Sequence, residues 1–338
     1  MNKSIYIIVV IGIVIIGAIL LKDKQITNSE IRIGYSAQSL GSSAIVVASE
    51  GGYFKKHDLE VMMVPMKGGA EVRLALISGH IDIGSAGMVD FIPIIASGVP
   101  ARVITPMSLS ATYIFVRPDS NINSFRDLYG KTVSVSPGGS DDVPFRVAMD
   151  KDNIDVSKIN FIDIEGPYRV STLMQRKLSD AAIVGAQDAS RFIEEGAIVL
   201  PEWENSQHFK QLQPRTSILV TTAYLNENQD LLDKFFDAYG EAHALIKNDP
   251  FAAAILVSED IIEQTNGAVD YSQDTIVSEW NSSVINTVWQ DPKIGMEMVK
   301  KSKELGIIDK DLSLEDIYDL RFADKLKKLQ EEIYGGQN

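Results

Sequence analysis

Apolar and polar positions change period along this chain, and one stretch shows both periods side by side. Val72, Leu74, Ala75, Leu76 and Ile77 lay an apolar face on a helix, and Gly79 suits the left-handed position just past its end. Ile81, Asp82 and Ile83 then read as a short buried strand. Gly84, Ser85, Ala86 and Gly87 follow as a small-residue loop that opens the next helix, so backbone N–H groups there can approach a ligand. An ordinary tight strand-to-helix turn has the same composition.

The pattern returns in register. Aligned without gaps, 72–98 and 170–196 superpose Val72 on Val170, Asp82 on Asp180, Gly87 on Gly185, Asp90 on Asp188, Ile95 on Ile193 and Gly98 on Gly196, six identities in 27 positions. Four of these fall on turn or polar positions, so the segments read as related α/β units, one in each of two lobes.

The remaining elements follow in order. Ile31–Gly34 is a strand, and Tyr35 to Ser39 is a loop before a small-residue helix, Ser42–Ser49. Loops leaving the carboxyl ends of parallel strands are where open α/β sheets bind ligands, which makes Tyr35, Ser36, Gln38 and Ser39 candidates. A second strand ends near Val64, and Gly68 and Gly69 open a helix without the Gly-Lys-Ser/Thr of a phosphate loop. Tyr113–Val116 and Lys131–Ser136 are strands. Gly139 and Ser140 then precede a helix to about Lys151, where either their polar groups hold a ligand or Ser140 simply caps the helix. Ile159–Asp163 is a strand, Glu165 to Tyr168 a loop, Asp180–Val184 a strand and Gly185 to Asp188 a loop. Ser217–Thr221 is a strand expected to return to the first lobe. Chain crossings near residues 107 and 216 form a hinge, with Met107 and Ser108 beside the crevice. From Asn228 the spacing is helical, with helices over 251–265, 272–288, 293–305 and 314–333 expected to buttress the first lobe.

Composition narrows the function. A chain of 338 residues suits two lobes, and a net charge of −14 argues against nucleic acid as a partner. The absence of cysteine excludes disulfides, thiolate zinc sites and a thiol nucleophile, and His57, His80, His208 and His243 have no metal-ligand spacing. No metal and no cofactor are expected. Ile5–Leu21 is a run of 17 residues that are apolar, Gly or Tyr, flanked by Lys3, Lys22 and Lys24. It exceeds a signal-peptide core and lacks a small-x-small cleavage site, which favours an uncleaved membrane anchor, with the rest of the chain outside the cell membrane.

Glu50 to Val61, Gly68 to Leu76, Ser78 to Gly84, Ala96 to Pro100, Phe125 to Val133 and Leu225 to Asn228 carry a family likeness. In order and spacing they resemble the substrate-binding proteins of ABC importers for nitrate, sulfonates and taurine, which group with the binding proteins for thiamine's pyrimidine precursor. The resemblance covers roughly residues 30 to 265. It implies an α/β fold of the two-lobed periplasmic-binding-protein type II. Residues 1–28 are then anchor or signal and linker, 30–106 with 215–334 the first lobe, and 107–214 the second. The implied partners are a small-molecule solute held between closing lobes and a membrane ABC permease, with the protein itself a monomer. Ser85, Ala86 and Gly87 become the first lobe's side of the crevice, Gly139, Ser140, Tyr168 and Gly185 the second lobe's. Asp82 reads as structural in both units.

The chain departs from its relatives in places. Asp141 and Asp142 would repel an anion if they faced the crevice, and only Arg169 and Arg215 offer positive charge nearby. That leaves a neutral or nitrogen-rich solute as a rival to an anion. Tyr35, Phe91, Tyr113, Tyr168 and Trp203 are possible stacking walls, each equally suited to core packing. Asp58 stands where relatives carry a turn glycine, a position Asp tolerates, and Arg176 to Ser179 lacks the glycine expected before Asp180. Three functions follow: a tethered extracytoplasmic solute-binding protein without chemistry, an enzyme on the same fold related to pyrimidine synthases or menaquinone-pathway dehydratases, or a sensor ectodomain. The apolar amino terminus and the missing cysteines favour the first.

Overall fold

The structure is a computed structural model that describes residues 30–164, 166–210, 213–282 and 287–335. The anchor expected at Ile5–Leu21 lies outside these residues, and among the described residues no helix is long and apolar enough to cross a membrane.

Among the described residues, ten strands form two five-stranded sheets. In chain order they are β1 (Ile31–Ser36), β2 (Val61–Met66), β3 (Ile83–Gly87), β4 (Ala101–Ser110), β5 (Thr112–Val116), β6 (Thr132–Val135), β7 (Asn160–Asp163), β8 (Ala181–Gly185), β9 (Ile198–Val199) and β10 (Gln213–Thr221). The first sheet runs β2-β1-β3-β10-β4 and the second β7-β6-β8-β5-β9, so the two correspond strand for strand. In each, three parallel strands are followed by an antiparallel one: β10 on β3, and β5 on β8. Buried on both faces, the inner strands read as near-continuous apolar or small-residue runs.

The in-register repeat is a repeat of structure. Asp82 donates its backbone N–H to the Arg32 carbonyl at 2.8 Å and accepts the Arg32 N–H on its carboxylate at 2.9 Å. Asp180 makes the same two bonds with Thr132, at 2.7 and 2.9 Å. Each carboxylate therefore starts the central parallel pair of its sheet. The expected loops after these strands are corrected: Gly84 to Gly87 belong to β3 and Gly185 to β8, because their backbone groups pair with β10 and β5. The expected loop at Tyr168 is the first turn of a helix, Gly166–Met174.

The chain leaves the first sheet at Ala111, since β4 continues to Ser110 paired with Gln213 of β10. The sheet change thus comes after Met107 and Ser108, and β10 returns to the first sheet before residue 216. Helices Gln229–Asn248, Pro250–Gln264, Gln273–Ser282 and Ala323–Tyr334 share one core with β1, Val220 of β10 and helix Ser43–Glu50. Their apolar faces bury at 3.6-residue spacing, with Leu232, Phe235, Phe236, Tyr239 and Ala242 all fully buried.

Two C-terminal expectations change. The segment 314–333 is two helices, Leu314–Ile317 and Ala323–Tyr334, because Tyr318 and Asp319 leave the helix to pair with Val103 on the otherwise open edge of β4. The helix expected to reach Val288 is described over Gln273–Ser282, residues 283–286 are not described, and Val288 itself lies outside any helix. Helix Pro292–Glu304 also reaches the second lobe. Glu297 pairs with Lys151 at 2.6 Å, Lys301 pairs with Asp150, and Val143 of helix Asp142–Lys151 joins the core around Met298 and Val299. These helices therefore strap the lobes together as well as supporting the first.

Candidate ligand site between the two sheets

A cavity of about 160 Å³ lies where β3, β4 and β10 meet the loop after β1 and the turn after β6. Eight hydroxyls line it, from Ser36, Ser39, Ser42, Ser85, Ser108, Ser110, Ser140 and Thr216, with Leu40, Gly41, Gly69, Ala86, Gly87, Asp90 and Arg215. The hydroxyls organise one another. Ser42 and Ser85 share a hydrogen bond at 2.8 Å, Ser85 donates to the Met107 sulfur at 3.2 Å, and Ser108 accepts the Thr216 N–H at 3.3 Å. Ser110 accepts the Ala186 N–H at 3.0 Å, a bond that joins the first sheet to the end of β8.

Of the residues expected at a ligand, Ser36, Ser39, Ser85, Ala86, Gly87, Ser108 and Ser140 come together here. The others do not line the cavity. Tyr35 is buried and donates its hydroxyl to Asp260 at 2.8 Å, because alternation along β1 turns it toward the helical core. Gln38 is exposed, Met107 sits behind Ser85, and Tyr168 is 63% exposed. Gly139 donates its N–H back to Ser136 at 3.0 Å, and Gly185 is held in β8 opposite Thr112. Ser140 is not the helix cap; that position is Asp141, whose side chain makes no capping bond.

None of the proposed stacking rings lines the cavity either. Phe91 is in the core, and Tyr113 stacks on Trp203 with centroids 4.5 Å apart while the indole N–H donates to the Thr112 carbonyl at 2.7 Å. Leu40, Gly41, Ser42, Gly69, Asp90, Ser110 and Thr216 were not among the expected residues. Asp90 had a signal in the sequence, its match to Asp188, but nothing that aimed it inward.

Asp141 and Asp142 are both engaged by arginines. Arg215, on β10, binds Asp141 at 2.6 Å and donates to the Ser140 carbonyl at 2.5 Å. Arg169 binds the same carboxylate and also donates to the Ile183 and Ile164 carbonyls, each at 2.8 Å. Burial opposes the charge on Asp141, but Arg215 and Arg169 outweigh it and hold the pKa below the usual carboxylate range. Asp142 turns away to Arg146 at 2.8 Å and accepts the Gly138 N–H at 2.8 Å. The two arginines are thereby committed to a carboxylate and are not a free anion clamp.

Asp90 and Asp188, matched in the repeat, flank this cluster. Burial pushes the Asp90 carboxyl up, with Asp141 adding to the rise and Arg73, Arg215 and the Gly87 N–H opposing it. Burial and then the Asp141 charge push Asp188 up to about 6, against Arg215, Arg169 and Arg191. Among the described residues, no histidine lines the cavity. Hydroxyls, helix starts and one carboxylate can hold a solute, which is what a binding site needs.

The chain is a two-sheet α/β structure with a polar cavity where the sheets meet. The chain belongs to the family described as NMT1/THI5 like, which matches residues 41–253. It is 23% identical over 287 residues to YtlA of Bacillus subtilis (strain 168), a protein named as a binding protein, covering 78% of this chain and 83% of that one. A Brucella abortus (strain 2308) protein, also named as a binding protein, is 28% identical over 157 residues, 46% of this chain; the chain spans only about half, 48%, of that relative's length. Among solved structures, the periplasmic aliphatic sulphonate binding protein SsuA of Escherichia coli superposes with a TM-score of 0.70 at 18% identity, covering 86% of this chain and 92% of SsuA. The desulfurization enzyme DSZB superposes at 0.59 with 12% identity, covering 88% of this chain and 99% of DSZB. At these identities both share the fold alone, and the fold carries binding proteins and an enzyme alike.

Proposed function

We propose that the protein is the extracytoplasmic solute-binding component of an ABC importer, a monomer tethered through its amino-terminal segment, that closes two lobes on a small organic solute and presents it to a membrane permease. The solute is of the sulfonate, nitrate or taurine type, or a pyrimidine-like compound. One observation carries the reading: a hydroxyl-lined cleft opens where the two sheets meet, and Arg215 and Asp141 join the sheets beside it. Its size and polar walls suit a small polar solute, and its lack of an aromatic wall weighs against a flat ring. Sulfonate-binding SsuA, which shares the fold, supports the class.

A thermal-shift screen against nitrate, alkanesulfonates, taurine, aromatic carboxylates and pyrimidines tests it. A ligand at 100 times its Kd stabilises the folded state by about 2.7 kcal/mol. One-to-one stabilisation by a panel member is the expected result. Catalytic turnover of the solute that binds, or no stabilisation by any of them, overturns the reading.

A further inference from the structure

A second cleft, of about 1360 Å³, opens among the C-terminal helices. It is separate from the solute cavity: Leu109 of β4 lines it while Ser108 and Ser110 line the other, because successive side chains of a strand face opposite sides. Buried Leu109, Ile246 and Trp280 make its floor apolar, with Val277 and Trp289 half-buried beside them. Hydrogen bonds fix the walls. Gln330 accepts the Val288 and Trp289 N–H groups at 2.7 and 3.3 Å, and the Thr105 hydroxyl donates to the Val288 carbonyl at 2.7 Å, which ties this wall to β4.

The rim is cationic, in a chain of net charge −14. Lys247, Lys293 and Lys327 line it, all exposed, and among the described residues Asp291 is the one carboxylate lining the cleft. Asp291 accepts the Lys293 N–H at 3.0 Å at the start of helix Pro292–Glu304. Lys327 and Lys247 lie over the rings of Trp289 and Tyr334, 5.2 and 5.3 Å from the centroids, which keeps their ammonium groups at the cleft.

We propose that this cleft is a second binding site, for a single-chain amphiphilic anion of the fatty carboxylate class. The hydrocarbon chain covers the apolar floor, and the anionic head stays at the rim among the lysines. The volume exceeds the ~300 to 1000 Å³ of ordinary small-molecule pockets, which suits a chain better than a small solute. Charge opposes the protein's own apolar run Ile5–Leu21 as the occupant, since its flanking Lys3, Lys22 and Lys24 carry the same sign as the rim.

Tryptophan fluorescence tests this, because Trp280 and Trp289 line the cleft while Trp203, the third tryptophan, stacks on Tyr113 in the second lobe. A terminally brominated undecanoate, titrated below its micelle concentration into the full chain, should quench saturably. The quenching should survive Trp203→Phe and lose a large part with Trp289→Phe. The carboxylate should bind at least about tenfold tighter than the brominated alcohol or ammonium of the same length, and Lys293→Glu with Lys327→Glu should remove that preference. Comparing the three heads needs no variant, so it holds even where a substitution disturbs folding. Equal affinity of the heads, quenching lost with Trp203→Phe, or a preference untouched by the two lysine changes overturns the proposal. Quenching by vesicles of brominated phosphatidylglycerol, without quenching by the dispersed carboxylate, also overturns it and assigns the cleft to a membrane surface. Absence of any quenching overturns it as well. None of these outcomes bears on the solute cavity, which the thermal-shift screen tests on its own.

Discussion

Lys177 holds a φ of +52°, at the position in the second repeat unit where Gly79 holds +71° in the first. Both end the helix before a strand whose leading aspartate pairs with the neighbouring strand. The glycine missing before Asp180 has not removed the turn; a lysine has adopted its conformation, as Asp58 does at +55°. An L side chain in this region costs on the order of 1 kcal/mol. Lys177 also makes an exposed ion pair with Asp119 at 3.1 Å, which solvent screening keeps weak.

Lys177→Gly should therefore stabilise the protein slightly, by a few tenths to about 1 kcal/mol, while Gly79→Ala should destabilise it by about 1 kcal/mol. A Cβ at Gly79 meets nothing within 4 Å, so its cost is conformational only. Urea unfolding of the two variants checks the opposite signs. Equal effects would show that the units do not share this turn energetically.

Arg215 and Asp141 join the sheets, and their removal should not be symmetrical. Asp141→Asn leaves two buried guanidinium groups without a carboxylate and should cost about 3 to 5 kcal/mol. Arg215→Met should cost less, because Arg169 still neutralises Asp141. Arg215→Met should also enlarge the molecule in solution by loosening the lobes, read as a larger radius of gyration in small-angle scattering.

Asp188 makes stability fall as pH rises. Its folded pKa, pushed up to about 6 by burial and by Asp141, exceeds the ordinary carboxylate value. The folded state therefore binds its proton more tightly, a contribution present below about pH 3.9 and lost as pH rises through 6. Asp188→Asn should raise stability at about pH 7.5 by about 1 to 3 kcal/mol and leave it nearly unchanged at about pH 4. Unfolding midpoints of both proteins at the two pH values measure the difference.

His243 acts in the opposite direction. It is fully buried among the C-terminal helices, with Nδ1 2.8 Å from the Tyr334 hydroxyl, and burial pushes its pKa down to about 3. The unfolded state takes up the proton first, so stability present above about pH 6.5 is lost as pH falls toward 3. The slope is about 1.4 kcal/mol per pH unit for one proton. His243→Gln should flatten the acid limb of the stability profile, whatever its effect at neutral pH, and thermal unfolding between about pH 7 and 4.5 reads that slope.

Much of this fold was legible because the signals are local. Asp82 and Asp180 reveal a repeated unit because each carboxylate serves its own strand start. Gly79 and Asp58 mark left-handed turns because φ is set by the residue itself. The strand ends were misplaced at Gly84 to Gly87 and Gly185, since small residues suit a buried strand as well as a loop, and only pairing with β10 and β5 separates the two. The same limit broke the helix expected over 314–333, because Tyr318 gains its partner from Val103, far away in the chain.

At the site, the sequence alone determined the segments: serines and small residues after β1, in β3 and before the helix at Asp142. Local pattern suffices there, because a strand end and a helix start place their own backbone groups. Tertiary structure decided the charges and the faces. Whether Arg215 is a free clamp or the partner of Asp141, whether Tyr35 looks into the cavity or toward Asp260, and that Asp90 fills the space left by Gly69 and Gly87 are relations between residues remote in sequence. Ion pairing and burial depend on distance in space, which no periodicity along a chain encodes.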